Sequence, residues 1–319
     1  MKNWKQELQQ AISDPNELRA LLALPAQSLV VPRGHFPLRV PRSFVNRMQK
    51  GNPHDPLLLQ VFIAPNEFEQ VDGYDADPLQ EATTNPVPGL LHKYHGRVLI
   101  ILSGSCAVNC RYCFRRAFPY NDNSALKHWP QIIEYIKNHH EISEVILSGG
   151  DPLLVDDEQL ASVIRDIEAI PHITTLRIHT RLPVVIPSRI TDEFIALLEQ
   201  SRLQTVVVLH INHANEIDDE LSAALLRLKH VAHLLNQAVF LKNINDSVEA
   251  LESLSRRLFA AGVLPYYVHQ LDRVVGAHHF YVSQEQGVKL MAALQAHLPG
   301  YLVPRYVQEV PGKPNKMPI

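Results

Sequence analysis

Cysteine is nearly missing. The 319 residues contain three, Cys106, Cys110 and Cys113, all inside the stretch SGSCAVNCRYCFRR. An odd number at such tight spacing excludes a disulfide framework. No apolar run approaches the ~18 residues of a membrane span. The polar start MKNWKQELQQ lacks the apolar centre of a secretion signal. No membrane role is expected, and free thiols persist in the reducing cytosol, so a cytoplasmic protein is expected. Excess positive charge is also lacking: the net charge is −3. A broad nucleic-acid-binding surface is therefore not expected. There are no low-complexity tracts.

What is present is apolar. A hydrophobic content of 46% over this length supports a large core, or one barrel with additions. Residues 1–97 read as a helical, loop-rich lead-in. NWKQELQQAIS and DPNELRALLAL are short amphipathic patterns, the second with Asp14 as N-cap. VPRSFVNRMQKGNPHDPLLLQVF and TTNPVPGLLHKYHGR follow, punctuated by proline. From residue 98 a rhythm begins. The runs VLIILS (98–103), EVILSG (144–149), TLRIHT (175–180), TVVVLHI (205–211), QAVFLK (237–242) and LPYYVHQ (264–270) start 46, 31, 30, 32 and 27 residues apart, the period of βαβ units. Between them lie the helical patterns DDEQLASVIRDIEAI, ITDEFIALLEQS, DDELSAALLRLKHVAHLL and DSVEALESLSRRLFAAG. Such runs are strands buried on both faces, and the alternation predicts a parallel sheet. Six units are too few for a closed eight-fold barrel. A partial barrel or an open doubly wound sheet is expected over 98–275, followed by a C-terminal helix and loop over 276–319.

Each expected strand is followed by a polar segment: the cysteine loop, SGGDP, HTR, INHANE, KNIND and HQLDR. In parallel barrels these loops converge on the site of chemistry, although exposed loops are polar in any case. The cysteine spacing is C-x3-C-x2-C. A tight loop of thiolates suits an iron–sulfur cluster, and three ligands for four irons leave one iron open. A zinc site completed by His92 or His95 and three unrelated buried thiols are the other readings. A zinc knuckle pairs two C-x-x-C steps, and one is present here.

The cysteine loop, with Tyr112 before its last cysteine and directly after the first strand, resembles that of radical S-adenosylmethionine (SAM) enzymes. VPGLLHKYHGRVLIILSGSCAVNCRYCFRRAFPY, LSGGDPL, LRIHTRLPVVIPSRIT, HINHANEI and NQAVFLKNIND resemble the lysine 2,3-aminomutases. Within that family they resemble the short members that supply (R)-β-lysine for modifying elongation factor P. The match runs from about residue 40 to the C-terminus. The implied fold is a partial (βα)6 TIM-like radical SAM barrel with an N-terminal helical extension and a short C-terminal segment carrying a cofactor lysine.

The resemblance implies a mechanism and a set of roles. Cys106, Cys110 and Cys113 would hold a 4Fe-4S cluster whose open iron binds the amino and carboxylate groups of SAM. An electron from a donor such as flavodoxin or ferredoxin would start radical chemistry that moves the amino group of L-lysine from the α to the β carbon. Ser148, Gly149, Gly150 and Asp151 would receive the methionyl end of SAM, the glycines by close backbone approach and Asp151 by accepting from its ammonium. His210, His213 and Gln237 would complete that pocket. Pyridoxal phosphate (PLP) would be held as a Schiff base by Lys316, in NKMP, with Lys93, Tyr94 and Arg97 at its phosphate. Here GKPN replaces most of the family's glycines. Lys93 stands where longer members have Arg, binding phosphate without a bidentate fork. Arg115 would pair the substrate carboxylate. Asp272 and Glu309 would hold its distant ammonium, Glu309 standing where longer members have Asp. Two acids there argue against a glutamate substrate. The product would pass to an elongation factor P lysyl-transferase, and the chain would be a monomer or dimer. The same chemistry serving free β-lysine metabolism is the alternative. A non-catalytic zinc- or cluster-binding barrel is the alternative of another class.

Overall fold

A computed structural model describes residues 3–25, 35–120 and 123–319. Nine strands form one sheet in chain order: β1 Leu90–Tyr94, β2 Arg97–Ser103, β3 Glu144–Gly149, β4 Thr175–Thr180, β5 Gln204–His210, β6 His233–Val239, β7 Leu264–His269, β8 Arg305–Gln308 and β9 Met317–Pro318. β2 to β8 run parallel, and β1 and β9 lie antiparallel at the two edges. Residues from every strand line a single cavity. A sheet can do this only by curling around it, and β1 and β9 do not pair. The fold is therefore a partial barrel.

The helices sit outside, and their sequences say why they start where they do. Asp156, Thr191, Asp218 and Ser247 accept from backbone amides three residues on, capping the helices Asp157–Glu168, Asp192–Glu199, Asp219–Leu228 and Val248–Ala260. Each such cap is worth about 1 kcal/mol. The first of these helices buries Leu160, Val163, Ile164 and Ile167, a stripe at helical spacing. The lead-in packs on the same core: Trp4, Ile12, Leu18 and Phe44 are buried within it. Its helices Trp4–Gln9 and Pro15–Leu21 start at caps from Asn3 and Asp14. No helix among the described residues is long and apolar enough to cross a membrane.

Two features differ from the sequence expectation. β6 begins at His233, inside the segment expected to be helical, and ends at Val239. Its alternating burial is masked in the sequence because leucines run on from the preceding helix. Buried Asn236 gives it a ladder of side-chain bonds, accepting from Ile211 N and donating to Ile211 O, both at 2.9 Å. The second is the strand count. β8 is a seventh parallel strand, and β1, β8 and β9 come from the segments flanking 98–275. These strands are too short to show a periodic pattern.

Candidate active site

The cysteine loop is held by backbone. Gly150 N donates to Ser103 O at 2.7 Å and Asp151 N to Ser105 O at 2.8 Å. A Cβ on Gly150 would sit 2.2 Å from Ser105 O, and one on Gly149, where φ is +120°, 2.4 Å from Ser103 O. The two glycines are therefore required by the approach of the SGGDP turn to the cysteine loop. Asp151, in the same turn, lines the cavity. Its carboxylate accepts from Leu153 N, Thr180 Oγ1, Arg181 N and Leu182 N at 2.7–3.1 Å. These four donors brace the end of β3 against the end of β4 and fix the carboxylate in place.

The three thiols are half-buried and line the cavity. Burial, then Cys113, pushes the Cys106 thiol well up, and burial, then Cys110, pushes Cys113 to about 11. They are close enough to repel one another as thiolates. A polycation at their centre would relieve that repulsion, which is the fit expected of cluster ligands. Among the described residues no group of three or more His, Cys, Asp or Glu is placed to hold a single metal ion. Neither histidine of the zinc reading can join them. His92 turns to Tyr135, Nδ1 to Oη 2.9 Å. His95 lies before β2, whose seven residues put roughly 20 Å between its two ends.

Across the cavity runs a chain of alternating charges. Arg115 Nε and Nη2 meet Glu81 Oε2 and Oε1 at 2.6 and 2.8 Å. Lys93 Nζ bridges Glu81 Oε1 at 3.0 Å and Glu309 Oε1 at 2.8 Å. Glu309 Oε2 accepts from Lys316 Nζ at 2.9 Å. Burial would raise Glu81, but Arg115 and Lys93 hold it below its ordinary value. Burial would likewise raise Glu309, and Lys316 and Lys93 outweigh it by more. Asp272 stands apart. Its carboxylate lines the cavity without a hydrogen-bond or ion-pair partner among the described residues. Burial, then Glu309, pushes it up to about 7.

The end of the cavity remote from the cysteines carries Tyr94, Arg97, Tyr266 and Arg305. Arg97 lies 4.7 Å over the Tyr94 ring and, like Arg305, has no acidic partner among the described residues. Free cations beside phenols suit a phosphate. Between the two ends, His179, His210 and His269 line the wall. Burial pushes all three imidazoles down, His210 to about 3, with Lys316 adding to each. Gln237 Nε2 lies 2.9 Å from His210 Nε2. His213 instead caps the turn Ala214–Glu216, accepting from Asn215 N. Ser148 lines the cavity 3.5 Å from Arg115 Nη1.

Sequence reasoning missed Glu81, Arg305, His179 and His269. The two histidines alternate with core residues on strands and were findable as polar positions on barrel-facing strands. Glu81 sits in a short 3-10 turn, Glu81–Thr84, where no local pattern marks it.

Residues 100–261 match the Radical SAM superfamily. Along 99% of its length the chain is 51% identical to a Haemophilus influenzae protein named L-lysine 2,3-aminomutase, covering 95% of it. Proteins of the same name from Escherichia coli and Buchnera aphidicola are 48% and 44% identical over the whole chain, with 94% and 95% of theirs covered.

Proposed function

The chain belongs to the lysine 2,3-aminomutase family of radical SAM isomerases, and from that premise we propose that it converts L-lysine to (R)-β-lysine for the β-lysylation of elongation factor P. The observation that carries the reading is Asp272, a carboxylate on the cavity wall with no hydrogen-bond or ion-pair partner among the described residues. A buried acid in that state calls for a cation, and the ammonium of a lysine side chain supplies one. Arg115 lies across the charge chain from it. Glu81 takes the Nε–Nη2 edge of the guanidinium, while Nη1 makes only long contacts, 3.3 and 3.5 Å, to Gly149 O and Ser148 Oγ. That end of the fork is left to receive the substrate carboxylate. Anion site and cation site together measure a zwitterion with a distal ammonium.

Membership in the family implies a 4Fe-4S cluster and SAM, and the site fits them. Cys106, Cys110 and Cys113 would hold the cluster, with Ser148, Gly149, Gly150, His210 and Gln237 around SAM. PLP fits the other end: Lys316 for its aldehyde, and Lys93, Tyr94, Arg97 and Arg305 for its phosphate. Bound there, cluster and SAM supply one-electron, hydrogen-abstracting chemistry, and PLP supplies the conjugation that lets nitrogen migrate. The chain's own contribution is placement and exclusion of water. Glu309 holds the Lys316 ammonium and Lys93 at fixed positions. The uncharged imidazoles of His179, His210 and His269 line the middle of the cavity without bringing ions beside the reacting carbon.

The elongation factor reading and the R hand are both supported by resemblance to the short members. With both its oxygens on lysines, Glu309 leaves Asp272 as the ammonium acceptor. Anaerobic reconstitution with iron, sulfide, PLP, SAM and a flavodoxin- or ferredoxin-type donor, followed by chiral analysis of product from L-lysine, tests the proposal. (R)-β-lysine is expected. A fully loaded enzyme that forms no β-lysine refutes the activity, and the S product refutes the stereochemical assignment.

A further inference from the structure

One expected cluster ligand has a charged neighbour that the reaction as described does not use. Arg181 follows β4 and is 6% exposed. Its Nη1 donates to Cys110 Sγ at 2.8 Å and to the Tyr112 hydroxyl. Its Nη2 donates to Gln60 Oε1 at 2.6 Å and Glu216 Oε2 at 3.0 Å. Glu216 is wholly buried, and its other oxygen accepts from Asn212 N, His213 N and Gln60 Nε2 at 2.8–3.1 Å. The backbone of Arg181 is fixed as well, because its N donates to Asp151 Oδ2 at 2.7 Å. The result is a rigid buried ion pair with its positive end on a sulfur and its negative end one group further back. Net stability is a poor reason for such a pair, since apolar packing of equal volume serves as well or better.

We propose that Arg181 and Glu216 are positioning residues that set the reduction potential of the cluster from opposite directions. The inference rests on the cluster reading of Cys106, Cys110 and Cys113. Reduction moves one electron from an external low-potential donor onto the cluster, with no bond made or broken. A cation and an N–H donor at a ligand sulfur stabilise the added negative charge and raise the potential. Glu216 lies further from the sulfur and opposes this in part, because Coulomb attraction falls with distance. Tyr112 takes the second Nη1 hydrogen and Gln60 the second Nη2 hydrogen, which stops the group from swinging away, while Nε has no partner among the described residues.

The test is an EPR-monitored potentiometric titration of the anaerobically reconstituted enzyme, with iron content measured alongside. Arg181→Gln is expected to shift the midpoint to more negative potential and Glu216→Gln to more positive potential. Arg181→Lys, which keeps the charge and loses the fork, is expected between Arg181→Gln and the unaltered protein. Opposite signs distinguish electrostatic tuning from loosened packing, which has no reason to change sign. An unchanged or more positive midpoint in fully loaded Arg181→Gln, or a negative shift in Glu216→Gln, overturns the proposal. If Arg181→Gln holds no cluster, the sign for Glu216→Gln and a midpoint for Arg181→Lys below the unaltered protein are both required. Failure of the unaltered protein to give a four-iron signal would defeat the cluster reading instead.

Discussion

Asp272 carries the sharpest residue-scale consequence. Its pKa of about 7 is raised by burial and by Glu309, with Lys316 and Lys93 pulling down and Glu81 adding to the rise. Below pH 7 the acid is neutral and a ligand ammonium loses its counter-charge. Lysine affinity should therefore rise as pH rises through 7, and binding at pH 6 should release protons, read by calorimetry in buffers of different ionisation enthalpy. Asp272→Asn should weaken binding about 10- to 100-fold, the worth of a charged hydrogen bond, and flatten the pH profile. The linkage to folding has the opposite sense. A carboxyl raised in the folded state makes stability fall as pH climbs from its unfolded value to about 7, so Asp272→Asn should gain stability at pH 8. Glu81 gives a second expectation. Glu81→Gln leaves Arg115 and Lys93 without their shared anion. It should cost about 3 kcal/mol or more in thermal unfolding, as broken buried pairs do, and about 100-fold in kcat/KM through misplacement of Arg115. The cysteines stood out in the sequence by their spacing, whereas Asp272 and Lys316 were singled out only through the family resemblance; all five line the cavity. Glu81 was not legible in the sequence, because its partners sit 12 and 34 residues away, and only the curled sheet brings them together.

At the scale of elements, the chemistry depends on two turns touching through their backbones. The SGGDP turn after β3 and the cysteine loop after β2 meet where a Cβ on Gly150 would overlap Ser105 O. That contact is backbone on backbone and cannot relax by a rotamer change. Gly150→Ala should therefore displace the cysteine loop and leave substoichiometric iron after reconstitution, while far-UV circular dichroism keeps its helix and strand signals. Full iron loading in that variant would show that the loop tolerates the shift. The strands feeding these turns were readable because β2, β3 and β5 are runs of Val, Ile and Leu that parallel burial demands. The start of β6 was not, because leucines continue across the helix-to-strand change. β8 was not, because four residues carry too little periodicity to separate strand from loop.

Across the whole molecule the cavity has two chemically distinct ends joined by the length of β2, roughly 20 Å. The cysteines lie past its C-terminal end, and Arg97 begins it. Lys316 reaches the cavity only because the tail returns to the sheet. Met317 and Pro318 pair with Gln308 and Val307, and Ile319 N donates to Tyr306 O at 3.1 Å. Tyr306 is buried in the main core, so the tail is anchored to the barrel and Glu309 faces Lys316 across the hairpin. Deleting Met317–Ile319 removes the anchor and leaves the lysine in the chain. The cysteine loop is held by backbone bonds to the SGGDP turn, and none of those bonds involves the tail. The truncated protein should accordingly assemble its cluster with unaltered EPR and iron content, and lose most of the PLP fixed by borohydride at Lys316, measured by peptide mass. Equal PLP trapping with and without the tail would mean that the Glu309–Lys316 pair alone orders the lysine. Loss of the cluster together with PLP would mean that the two ends of the barrel do not fold as separable sites.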